Sequence, residues 1–163
     1  MTAVRPPGRE APGGEGDEPA MRRVLVLLES FQASANTLSQ AARLVEISGG
    51  VLWLVHARVL DQPAPWYGGG PRPETSEEAT LGLEAAVTFA WTQGVPASGV
   101  VVETERSRVA DAVVAEASQW GADLIMLTAS LRRTRSPAAW DRTTRRVMRS
   151  AACQVIIVYP GQY

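Results

Sequence analysis

The chain has 163 residues, 45% of them hydrophobic, with a formal net charge of -1 and a pI near 5.9, which suffices for one sizeable core and is short for two domains. That balance excludes a general binder of nucleic acid or anionic membrane, which needs a broadly basic surface. All 16 cations are arginine, so Schiff-base and phosphate-loop lysine mechanisms are excluded; the single cysteine, Cys153, has no internal disulfide partner, and the single histidine, His56, leaves no histidine pair for a metal.

Residues 1–20 combine Pro, Gly and charge with almost no large apolar group. They cannot offset their ordering entropy by burial, which predicts a disordered tail ahead of one domain over 21–160. No apolar run approaches the roughly 18 residues of a membrane span, and the N-terminus lacks the apolar stretch of a secretory signal. A cytoplasmic protein is expected.

From Arg22 to Leu28 the chain is a short apolar run, the form of a parallel strand buried on both faces. A turn at Glu29, Ser30 and Phe31 follows, then a helix whose Leu38, Ala41, Ala42 and Val45 share one face and which Gly49-Gly50 ends. Val51–Val59 is a second strand. A Pro/Gly-rich loop from Asp61 to Pro73 carries Trp66 and Tyr67, which either pack locally, cover a pocket or meet a second subunit. Thr75-Ser-Glu-Glu78 has the capping-box pattern for a helix running to about Gln93. Gly99–Glu105 reads as a third strand near an edge, because it ends in alternating charge. Ser107 is the expected cap of a helix with Val109, Val113, Ala117 and Trp120 on one face, closed by Gly121. Asp123–Thr128 is strand four, Trp140 to about Ala151 helix four, and Gln154–Tyr159 strand five.

Such alternation of strand and helix predicts a parallel sheet with right-handed crossovers and helices on both faces. In an open sheet of this kind a ligand sits at the strand C-termini where the strand order reverses. The candidate loops are therefore those after strands one and four, Glu29–Phe31 and Thr128–Trp140. The second loop is unusual in charge. Residues 132–149 carry seven arginines against one acid, Asp141, so that window is +6 and the remainder -7. Arg142, Arg145, Arg146 and Arg149 share one helical face. They form either a solvated surface paired with neighbouring acids or, with Arg132, Arg133 and Arg135, a patch for an anion or an acidic partner. Asp141 is expected to cap helix four, while Val147, Met148 and Ala151 of that helix turn toward the core.

Four stretches together resemble the universal stress protein family over about residues 22–159. Val24-Leu-Val-Leu-Leu-Glu-Ser resembles its opening strand and turn, Leu54-Val-His56 its Leu-Leu-His, Gly121-Ala-Asp-Leu-Ile its lead into strand four, and Arg149-Ser-Ala-Ala-Cys-Gln-Val its closing segment. The resemblance implies a three-layer α/β/α sandwich with a five-stranded parallel sheet in Rossmann-like order 3-2-1-4-5. It also implies a homodimer built through the last strand. Family members that bind ATP hold it in a loop reading Gly, two residues, Gly, nine residues, Gly, then Ser or Thr. Here those positions are Thr128, Leu131, Asp141 and Arg142, without a glycine among them. Leu131 would put a bulky group, and Asp141 a negative charge, where backbone should approach phosphate.

The resemblance places the pocket at Glu29, Ser30, Ala57, Thr128, Ala129, Ser130, Leu131, Asp141 and Arg142. Arg132, Arg133, Arg135, Arg145, Arg146 and Arg149 form the anion or partner patch. His56 reads as a hydrogen-bonded structural group and Cys153 as a small core residue. No catalytic residue, metal or resident cofactor is expected. The expected function is that of a non-enzymatic stress-response or regulatory protein, acting as a dimer or through a protein partner, with no nucleic acid and no membrane. The alternative is a module that takes a nucleotide or another phosphate compound, with arginines replacing the glycine loop.

Overall fold

The computed structural model describes residues 3–4, 21–29, 31–61, 72–129 and 137–159, with the backbone alone at 3–4, 31–32 and 137–141. In chain order the elements are β1 (Ala3–Val4), β2 (Arg23–Leu28), α1 (Phe31–Ser48), β3 (Val51–Val59), α2 (Ser76–Thr92), β4 (Ala97–Thr104), a 3₁₀ turn (Arg106–Arg108), α3 (Val109–Trp120), β5 (Leu124–Thr128), α4 (Pro137–Ser150) and β6 (Gln154–Val158). The sheet runs β1-β4-β3-β2-β5-β6. Strands β2 to β6 pair in parallel. Counted among themselves they have the expected order 3-2-1-4-5. The short β1 adds one antiparallel rung outside β4, with Ala3 opposite Val100 and Val4 opposite Gly99.

Alternation along the strands sorts the core into two layers. Val24, Val26, Leu28, Leu52, Leu54, Leu124 and Met126 face α1 and α2, where Leu38, Ala41, Val45, Leu83 and Ala86 meet them. Leu25, Leu27, Val55, Ile125 and Leu127 face the other way, onto Val109, Val113 and Ala117 of α3 and Val147 of α4. The central strands β2 and β5 are buried on both faces, which is why they read as continuous apolar runs.

Local chemistry explains the element ends. Thr75 and Glu78 form the predicted capping box, with the Thr75 hydroxyl accepting from Glu78 N–H at 3.1 Å and the Glu78 carboxylate from Thr75 N–H at 2.8 Å. Gly49 closes α1 at φ 66°, a left-handed conformation glycine adopts without strain.

Three local expectations are corrected. Ser107 does not cap α3, because the chain first makes the Arg106–Arg108 turn, closed by Arg108 N–H on Glu105 O at 2.9 Å. Arg108 then holds the cap position with no side-chain bond. Helix α4 begins at Pro137, three residues before Trp140, so Asp141 lies within the helix and not at its cap. Proline suits a first helical position, where its missing N–H has no intrahelical acceptor anyway. Met148 is 55% exposed, while Thr144 and Val147 provide the buried stripe of α4.

Candidate functional site

At the C-terminal ends of β2, β3 and β5 the chain collects the predicted pocket residues. Glu29 follows β2, Ala57 lies near the end of β3, and Thr128 and Ala129 close β5. Register brings them side by side, since Leu28 pairs with His56 and Val26 with Met126.

Polar groups early in α1 bind this end together. Ser34, fully buried, accepts the Glu29 N–H on its hydroxyl at 3.1 Å. The hydroxyls of Thr37 and Thr128 are 2.7 Å apart, with Thr37 fully buried and Thr128 3% exposed. The Asn36 amide donates to Tyr159 O at 3.3 Å, and Ala129 N–H donates to Val158 O at 2.8 Å. The amides of Glu29 and Ala129 therefore serve internal acceptors and not an anion.

A second polar cluster stands at the end of β3. His56, 2% exposed, places Nε2 2.8 Å from the Glu74 carboxylate just ahead of α2. Arg58 donates from Nε to Glu74 O at 2.9 Å and pairs with Glu103 of β4. These bonds fix the return of the chain from the loop after β3 onto the sheet.

A family model described as Universal stress protein family matches residues 21–159. The chain belongs to the universal stress protein family.

Solved structures agree in fold. A universal stress protein in complex with cAMP is 18% identical, covering 86% of this chain and 98% of its own, with a TM-score of 0.66. A family member from Burkholderia pseudomallei is 25% identical over 87% of this chain and 98% of its own, at 0.61. The universal stress protein from Archaeoglobus fulgidus in complex with dAMP is 20% identical over 84% and 96%, at 0.57. A search of the curated proteins finds no match.

In this universal stress protein the structure brings Glu29, Ala57, Thr128 and Ala129 together. Ser30, Leu131, Arg132, Arg133, Arg135, Ser130, Trp66 and Tyr67 lie outside the described residues. Asp141 is placed by its backbone alone, on the second turn of α4. Arg142, Arg145, Arg146 and Arg149 are all exposed. Arg146 is gripped by Asp111 of α3 through two bonds, Nε to Oδ1 at 2.7 Å and a terminal nitrogen to Oδ2 at 3.0 Å. The hydroxyl of Thr144, buried on the inner side of α4, has no hydrogen-bond partner among the described residues. Cys153 lies at the opposite end of the sheet, half-buried beside Ala122 and Asp123. Burial pushes its thiol pKa up, which disfavours the nucleophilic thiolate. Among the described residues no His, Cys, Asp and Glu group could hold a metal, and no helix is long and apolar enough to cross a membrane.

Sequence reasoning missed Ser34, Thr37 and Glu74. Ser34 and Thr37 share a face with Leu38 and Ala41, so hydroxyls on an otherwise apolar helical stripe were the available signal. Glu74 gave none, because its partner His56 is eighteen residues away along the chain.

Proposed function

We propose that this universal stress protein works without catalysis, as a stress-response or regulatory protein that acts by pairing with a second copy or with a protein partner, and does not hold ATP in the glycine-loop manner. One observation carries this reading. Thr128, at the position of the family's first loop glycine, is buried and hydrogen-bonded to Thr37. A side chain anchored there occupies space that a phosphate-wrapping backbone needs. The strand β6 supports the pairing, since it ends the sheet among the described residues, and Ile156 and, just beyond the strand, Tyr159 expose 39% and 67% of their surface.

The experiment is mass spectrometry of the purified protein for co-purified nucleotide, with thermal melting in the presence and absence of ATP and magnesium. No bound nucleotide and a melting shift under about 1 °C are expected; ligand that binds the native state well raises stability by mass action, so a shift of several degrees overturns the reading.

A second reading rests on the cAMP and dAMP complexes of structural neighbours. The strand ends carrying Glu29 and Ala57 remain a place for a nucleoside, with arginines meeting a monophosphate in place of the loop amides. Replacing Arg132, Arg133 and Arg135 together by alanine then abolishes any shift caused by AMP.

A further inference from the structure

We propose that the outer edge of β4 is a second self-association surface, whose partner is β4 of another copy, and that residues 3–4 of the chain hold it shut. This goes beyond pairing through β6 and does not depend on it.

The observation is the antiparallel rung of Ala3 and Val4 on Val100 and Gly99. Without it, β4 would end the sheet on this side with unpaired N–H and C=O groups, a template for another strand. The two halves of β4 differ. Its upper end carries Glu103, and Glu105 follows it, so charge guards that part against a second strand. Its lower part, Ala97-Ser-Gly-Val-Val-Val102, has no charge and no proline, and three consecutive β-branched residues. Uncharged six-residue strands of this type pair readily with copies of themselves. The rung sits on that unguarded part.

The geometry suits a cover from the same chain. Val4 is level with Gly99, Leu54 and Val26 through successive registers. From there to Met21, below β2, is about 22 Å at standard strand spacings. The 16 intervening residues could reach roughly 50 Å if extended, more than the gap requires. Tethering gives such a segment an effective concentration on the order of millimolar. That suffices to exclude a second copy at ordinary concentrations. A rung of two residues remains weak enough to be displaced when something else captures the tail.

The test compares the full chain, a chain starting at residue 21, and a full-length Ala3→Pro/Val4→Pro double variant, which keeps the tail and removes two backbone donors. Mass is followed by sedimentation up to about 200 µM, and amide exchange is followed across residues 98–102. Both altered proteins should exchange about tenfold or more faster there at low concentration, and should assemble one step beyond the full chain as concentration rises. If the full chain is a monomer and the altered ones dimers, the β4 edge is supported and β6 pairing fails. A full-chain dimer whose altered forms build tetramers and longer assemblies supports both. Unchanged mass overturns the proposal, whether exchange quickens or not, because an uncovered edge would then have no affinity for its own copy.

Discussion

The buried pair Thr37–Thr128 is where a single residue says most about function. Two hydroxyls shielded from bulk solvent share one bond, so removing one deprives the other of its partner. Thr37→Val should cost about 1–3 kcal/mol in chemical denaturation, whereas Thr37→Val/Thr128→Val, which removes both partners with little change of shape, should recover much of that loss. Equal costs for the single and double variants would mean that packing, and not the bond, is what matters. Glu78 offers a residue-scale prediction in pH. Its carboxyl is lowered to about 2, first by the Arg72 guanidinium hydrogen-bonded to it and then by the Thr75 amide. Because the folded value lies below the unfolded one, the contribution to stability is present above the ordinary carboxylate range and is lost as pH falls from there toward 2. The Glu78 side chain is 41% exposed and reaches solvent, so the readout is its own NMR titration. Arg72→Ala should move that titration upward, and an unmoved curve would show that the amide alone sets it.

Elements were legible wherever periodicity and punctuation agreed. The alternation of apolar runs and helical stripes gave all five parallel strands, and Thr75 with Glu78 gave the start of α2 to the residue. The start of α3 was not legible because a 3₁₀ turn at Arg106–Arg108 carries no side-chain cap, while Ser107, a favoured capping type, lies inside that turn. The start of α4 was not legible because Asp141 is a strong capping type, whereas the true start, Pro137, is compatible with either a loop or a first helical turn. The candidate site was legible only in its strand-end part, where topology fixes location; the Thr37 hydroxyl of α1 that helps organise it belongs to a long-range pair with Thr128, ninety-one residues apart. Close approach between elements makes a further prediction. A Cβ on Gly99 would stand 2.3 Å from Leu54 O and 2.8 Å from Leu83 Cδ1, so Gly99→Ala should destabilise by about 1–3 kcal/mol through displaced backbone. In contrast, Asp111→Ala should cost under about 1 kcal/mol, since both partners of the Arg146 pair are half exposed.

At the scale of the whole molecule, the sheet determines how copies can meet. Its β6 side ends in Gln154, Val155, Ile156, Ile157 and Val158, and the exposed Ile156 lies on the α1 side of the sheet because it pairs with Met126. Two β6 strands meeting about a two-fold axis would extend both sheets into one and cover Ile156 and Tyr159 of each copy, a closed arrangement in which every residue at the contact is used twice. That doubling makes charge an effective probe. Ile156→Lys places one ammonium on each side of the axis, and like charges facing across an antiparallel pair repel, while within a single chain the 39% exposed position lets the ammonium reach water. The variant should therefore melt close to the parent yet sediment as the monomer, and high salt should restore part of the pairing by screening the repulsion. Ile156→Val, which keeps the strand apolar and β-branched, should leave the proposed dimer in place. If the parent sediments as the proposed dimer and Ile156→Lys keeps that mass, β6 is not the contact and the copies meet through another face.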